Sequence, residues 1–284
     1  MDSKGRIDIP IFDARVRAVK ADPRFHSAKA RFCHDVPERW LNSPINRALI
    51  ADTGAYALTI AIIGMNRIYR VDGASMQTVI KALEAGGMAS ATRIRSLIDI
   101  LVHRGAIKIV AHEHDRRRRR LEPTDALIEA QRAWFESVLL SVSEVFDLPL
   151  PAHELAHVPD LVERYLTGVM LRHLMDRFTI LDGFPEVEAF MNRRHGYLLM
   201  LQLAGSDGLV TMVSRNRFAH RLGVSPAHIA TMLADAEERG WLWRVQPSSQ
   251  IVLSPEFADI LDTWVARELV IVGLWIEARF GQKR

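Results

Sequence analysis

The sequence predicts a mainly α fold with small β hairpins, organised as two similar units in one chain. Three observations predict it. Apolar residues recur at helical spacing through most of the chain. A sixteen-residue helical segment occurs twice, from Ser90 to Gly105 and from Ser225 to Gly240, at a constant offset of 135. Each copy is followed by alternating apolar residues on both sides of a polar tip, and then by a second helix behind a proline.

The composition supports a packed globular chain. Of its 284 residues, 49% are hydrophobic and 25% charged, a balance that excludes disorder. The single cysteine, Cys33, excludes an internal disulfide and points to a reducing compartment, the cytoplasm. It reads as a small buried residue, with a redox switch as the rival reading. The start, MDSKGRIDIP, has no apolar core ahead of a small-residue cleavage site. The longest apolar stretches, Tyr56–Met65 and Leu269–Ile276, fall short of the roughly 20 residues that cross a membrane.

In chain order, residues 1–44 read as a polar N-terminal extension in which Pro10, Pro23, Pro37 and Pro44 break any long helix. Residues 45–148 form the first unit, 149–184 a helical linker, and 185–284 the second unit with its C-terminal helix. Helices are expected from Ile45 to Tyr69, from Thr124 to Phe146, from Pro159 to Ile180, from Pro185 to Leu203 and from Pro255 to Phe280. Leu269–Ile276 is apolar nearly all round, so it is expected to lie buried against other helices or a second subunit.

The repeat rests on local chemistry. Ser90 and Ser225 are N-cap residues, and Arg104-Gly105 and Arg239-Gly240 are basic last turns followed by a glycine stop. Ile94, Leu97, Ile98 and Leu101 match Ile229, Met232, Leu233 and Ala236 along one helical face. Ile107, Ile109 and Ala111 alternate before a charged tip and a return through Leu121. Trp241, Trp243 and Val245 alternate before Gln246–Gln250 and a return through Ile251 and Leu253. Upstream of the second copy, Ser214–Leu222, the Gly223 turn and the following helix make a helix-turn-helix. Helix-turn-helix plus hairpin, twice, is a pair of winged helix-turn-helix units joined by helices.

From Ser90 to Ala130 the chain resembles the MarR-type winged-helix regulators. The residues that carry the resemblance are Arg104-Gly105, the wing sequence Asp115-Arg116-Arg117, and Thr124. The resemblance implies transcriptional regulation by binding operator DNA, without catalysis. It implies that Thr92, Arg93, Arg95 and Ser96 lie on the recognition helix, that Arg117 enters the minor groove, and that Asp115 braces the wing. It also implies a dimer, either a homodimer through the helices at 124–146 and 262–280 or an intramolecular pseudo-dimer, and a small-molecule effector.

The arginine run stands on its own physics. Arg116, Arg117, Arg118, Arg119 and Arg120 crowd five guanidinium groups at a hairpin tip, with Glu113 and Asp115 close by. A polyanion relieves that repulsion and releases counterions, and arginine favours narrow minor grooves. The expected partner is double-stranded DNA. The two reading helices differ: Arg93, Arg95 and Arg104 against Asp99 leave +2, whereas Arg239 against Asp235, Glu237 and Glu238 leaves −2. The second unit therefore reads as the weaker contact, made through Arg215, Arg217, His228 and Thr231. Rival readings are a tandem winged-helix replication initiator and a winged-helix module that binds protein.

Other signals are weaker. His153-Glu154-Leu-Ala-His157 matches the H-E-x-x-H zinc pattern, but Pro151 and Pro159 leave it barely two turns. A zinc hydrolase is thus a remote reading, and no cofactor is expected. His112 and His114 in the wing read as further phosphate contacts beside the five arginines, with metal binding as the rival reading. Trp134, Phe135, Phe146, Tyr165 and Phe178 read as core, with an effector pocket as their alternative use.

Overall fold

A computed structural model describes residues 8–49, 53–69, 74–111, 119–171, 183–206, 208–245 and 248–281. The N-terminal segment is helical. Helix α1 (Ile9–Ala21) starts at Asp8, whose carboxylate accepts from the Ile11 N–H, with Pro10 in the first turn. Helix α2 (Phe25–Asn42) runs through Pro37, and α3 (Pro44–Leu49) follows. The expectation that the prolines break any long helix is corrected here. Pro10 and Pro44 lie in first turns, where the missing N–H costs nothing, and Pro23 lies between helices. Only Pro37 is interior, a cost of about 3 kcal/mol. It is offset because α2 buries Phe25, Ala28, Phe32, Val36, Trp40 and Leu41, and each large apolar side chain contributes about 1.5–3 kcal/mol.

The first unit runs α4 (Thr53–Ile68), β1 (Ala74–Ser75), α5 (Met76–Ala85), α6 (Ala91–His103), β2 (Ile107–Ala111), β3 (Arg119–Pro123) and α7 (Asp125–Val142). Helices α8 (Ala152–Ala156) and α9 (Leu161–Tyr165) follow, and α9 continues into a π-helical turn at Leu166–Leu171. The expected helix to Ile180 extends beyond this into residues 172–180, outside the described residues. Then come α10 (Pro185–Met191) and the second unit: α11 (Gly196–Ala204), β4 (Val210–Met212), α12 (Arg215–Leu222), α13 (Pro226–Glu238), β5 (Leu242–Val245), β6 (Gln250–Leu253) and α14 (Pro255–Phe280).

The two units match in detail. Each has a three-stranded antiparallel sheet of one order, β1-β3-β2 and β4-β6-β5. Ser75, Ser90 and Thr124 cap α5, α6 and α7, as Ser214, Ser225 and Ser254 cap α12, α13 and α14. In all six the side-chain oxygen accepts from the N–H three residues on. Gly105 and Gly240 stop α6 and α13 with φ of 71° and 73°. The Thr124 backbone N–H then donates to the Ala106 carbonyl at 3.0 Å, and that of Ser254 to the Trp241 carbonyl at 2.9 Å. The sequence predicts two-stranded hairpins. The structure adds β1 and β4, too short to show a period.

The region expected to be one helix from Pro185 to Leu203 is two helices. Between them, Asn192–His195 turns, with His195 at φ 59°. A Cβ on Gly196 would sit 1.8 Å from the Phe190 carbonyl oxygen, so only glycine closes this turn.

Helix α14 is the axis of the core. Leu261, Trp264, Val265, Ala266 and Leu269–Gly273 are all buried, against α1, α2, α7 and α11 of the same chain. Lys29 on α2 reaches Asp262 at 2.8 Å, and Lys20 and Arg15 on α1 reach Asp259 at 2.5 Å and Glu277 at 2.7 Å. Trp134, Phe135, Phe146 and Tyr165 are buried, while Phe178 is outside the described residues. Cys33 is buried, and burial pushes its thiol up to about 12. Among the described residues no helix is long and apolar enough to cross a membrane.

Candidate nucleic-acid interface

Helix α6 divides by face. Ile94, Leu97, Ile98 and Leu101 are buried, backed by Val79, Ile80 and Leu83 of α5. Thr92, Arg93, Arg95 and Ser96 are all exposed on the opposite face near the helix start. Ser90 caps that end, and Glu84 of α5 accepts from the Ala91 N–H at 3.4 Å, which fixes the angle of the turn. The result is a positive helix N-terminus presenting hydroxyls and guanidinium groups to solvent, a surface suited to an anion. Arg95 has no ion-pair partner among the described residues.

The sheet of the first unit adds charge beside this helix. Arg119 is exposed at the start of β3. Arg120 is held by Glu122 two residues on, and Lys108 on the neighbouring strand reaches the same carboxylate at 3.1 Å. These two cations hold the Glu122 carboxyl below its usual range against the opposing effect of burial. Glu113 and Asp115 are the acids that the sequence places near the arginine run; Glu122 is a third, which sequence reasoning missed. Strand alternation is the signal that pairs it with Arg120. Asp115, Arg116, Arg117 and Arg118, with His112 and His114, lie outside the described residues.

The second unit presents a different face. Arg215 and Arg217 are exposed in the first turn of α12, and Arg221 pairs with Glu38 of α2. On α13, however, the protein covers its own helix. His228 is half-buried, its Nε2 2.9 Å from the Arg194 carbonyl oxygen. The Thr231 hydroxyl donates back to the Ala227 carbonyl at 3.0 Å. Asp235 is paired with Arg193, so the Asn192–His195 turn grips α13 at two points. Glu237 accepts from the Arg244 backbone N–H at 2.9 Å and from its Nε at 2.7 Å, and these bonds hold its carboxyl below the usual range. The −2 read from the sequence is therefore largely neutralised from outside the helix. Arg193 and Arg194 were missed because their contacts lie 34 and more residues away.

The outer sheet faces also differ. Where the first carries Lys108, Arg120 and Glu122, the second carries Trp243, Gln250 and Val252, with Val210, Met212 and Val245 around them. Trp243 is 50% and Met212 62% exposed.

The zinc pattern has no site. His153 Nε2 stands 3.9 Å from Glu154, and the His157 ring Nδ1 lies 2.7 Å from the His153 carbonyl oxygen, within a five-residue helix. Among the described residues no three His, Cys, Asp or Glu side chains gather where they could hold a metal ion. Comparison of the chain with family models, with curated proteins and with solved structures finds no match.

Proposed function

We propose that the chain is a sequence-specific DNA-binding regulator with two winged helix-turn-helix units, of which the first is the main reader. Helix α6 enters the major groove, and the arginine-rich tip between β2 and β3 contacts the adjacent minor groove. One observation carries the reading: the start of α6 exposes Thr92, Arg93, Arg95 and Ser96 together, on a helix held from behind by an apolar face. That is the geometry by which a recognition helix reaches base edges. Arg215 and Arg217 of the second unit contact the phosphate backbone. Helices α7 and α14 pack together within one chain, which favours the intramolecular pseudo-dimer over a homodimer through the same helices. The resemblance to MarR-type regulators points the same way.

The experiment is a binding titration with the DNA upstream of the chain's own gene, repeated across salt concentrations. Binding is expected to outcompete unrelated DNA and to weaken as salt rises. Replacing Arg116–Arg120 with alanine should flatten the log–log slope by about 0.9 for each phosphate no longer neutralised, up to ~4.5. Failure to retain DNA of any sequence at low salt would refute the proposal, and an unchanged slope would remove the tip from it.

A further inference from the structure

Glu268 lies deep in the protein, on α14. It shares one face of that helix with Trp264, one turn before, and Trp275, two turns after. Aromatic rings from five other helices surround this face. Trp40 lies 5.7 Å from Tyr56 and 6.2 Å from Trp134, Trp134 lies 6.3 Å from Tyr165, and Tyr165 lies 5.3 Å from Trp275, centroid to centroid. The planes are inclined by 41° to 76°, so the rings form walls rather than a stack.

Two features set this region apart from ordinary core. First, Tyr56, Tyr197 and Glu268 keep part of their surface accessible beside these buried rings. Second, polar groups here are left without partners. Gln131, one turn before Trp134 on α7, is fully buried, and neither of its amide atoms is hydrogen-bonded; the Trp40 indole N–H is also unpartnered. Native interiors satisfy such groups unless a ligand or water supplies the partner.

We propose that this aromatic box is a binding site for a hydrophobic organic cation, an amine or quaternary ammonium, whose charge lies against Glu268. The chemistry selects the class. Aromatic faces carry negative quadrupole charge and attract a desolvated cation. Glu268, once ionised, repels anions. A small metal ion would need several oxygen ligands, and the box offers one carboxylate among rings. The Gln131 amide and Trp40 N–H supply hydrogen bonds to polar substituents on the ligand.

The ionisation of the box follows. Burial pushes the Glu268 carboxyl up to about 8, opposed by the Trp264 indole N–H and the Arg267 guanidinium. The phenols that face it, Tyr56, Tyr165 and Tyr197, are pushed well above their usual value, mainly by burial and further by Glu268, and stay neutral. A bound cation adds to the positive charge that Arg267 already places near Glu268. Below pH 8 its arrival therefore releases the carboxyl proton to solvent.

The test uses the full chain and does not depend on DNA binding. Tetraphenylphosphonium and the smaller benzyltrimethylammonium are titrated by tryptophan fluorescence and equilibrium dialysis, with triphenylphosphine oxide as the neutral counterpart. The expected result is saturable binding of one cation per chain, about tenfold tighter at pH 9 than at pH 7 because the carboxylate must ionise. Glu268→Gln, isosteric with the protonated acid, should fold normally by circular dichroism, lose at least tenfold in affinity and show no pH dependence. The proposal is overturned if neither cation saturates, if the neutral probe binds as tightly as the cation, or if folded Glu268→Gln binds within twofold of the wild type. Should the variant fail to fold, the wild-type pH profile and the neutral probe still decide.

Discussion

Two pairs of alanine substitutions separate the two units. In the first, Thr92 and Arg95 are replaced; in the second, His228 and Thr231, which stand on α13 where Arg93 and Ser96 stand on α6. The structure sets unequal expectations. Arg95 is exposed with no ion-pair partner among the described residues, so a base contact by its guanidinium would break no internal bond. A bidentate arginine–guanine pair is worth about 1–3 kcal/mol. The Thr92 hydroxyl adds a single hydrogen bond, about 0.5–1.5 kcal/mol. Together they amount to about 1.5–4.5 kcal/mol, or roughly 10- to 2,000-fold in affinity.

On α13 both groups are already engaged, His228 with the Arg194 carbonyl at 2.9 Å and Thr231 with the Ala227 carbonyl at 3.0 Å. A DNA contact there replaces an internal bond rather than adding one, so the net loss should stay near 0.5–1 kcal/mol, a few-fold effect. The assay is fluorescence anisotropy on the natural operator at one fixed salt concentration, with circular dichroism to confirm folding. Equal losses from the two pairs would refute the reasoning and favour a symmetric pseudo-dimer across two half-sites.

Two further predictions concern the core. Glu268 ionises near 8 in the folded chain and near its usual 4.5 when unfolded, so the folded state holds the proton more tightly. Its contribution is fully present below pH 4.5, declines as pH rises through 8, and is flat beyond. At ~1.4 kcal/mol per pH unit the interval amounts to about 5 kcal/mol, and partial exposure reduces it to about 3–5. The melting temperature of the wild type should therefore fall relative to Glu268→Gln between pH 5 and pH 9; a constant difference would contradict the burial of this charge. Gly273 on α14 lies where a Cβ would come within 2.5 Å of the Phe146 ring, itself buried. Gly273→Ala should destabilise by about 1–3 kcal/mol through overpacking, read from urea denaturation, and an unchanged midpoint would show that Phe146 has room to move.

What was legible in the sequence is what depends on neighbours along the chain. The caps at Ser90, Ser225, Thr124 and Ser254 and the glycine stops at Gly105 and Gly240 act within a few residues, so they announce themselves. The passage of α2 through Pro37 was not legible, because burial against α7 outweighs a local penalty. The grip of Arg193 and Arg194 on α13 depends on contacts across dozens of residues. Glu268 was visible only as one acid near an apolar run. Its aromatic surroundings come from α2, α4, α7, α9 and α11, which no local pattern brings together.

The inequality of the units follows from which residues the shared backbone fixes. In both sheets the inward positions are buried, and all but Thr211 of those named are apolar: Leu121 faces Ala74 as Ile251 faces Thr211, and Ile107 and Leu242 are buried at corresponding places. The outward positions bear no such demand, since a side chain pointing to water contributes little to the stability of either sheet. Those are the positions at which the units diverge, ionic around Glu122 and apolar around Val252. The same holds for α6 and α13, which agree at Ile94 and Ile229 and part company at Arg95 and Ala230. A face that carries exposed arginine beside a charged sheet suits a polyanion. One held by its own chain beside an exposed tryptophan does not, although its backbone is the same.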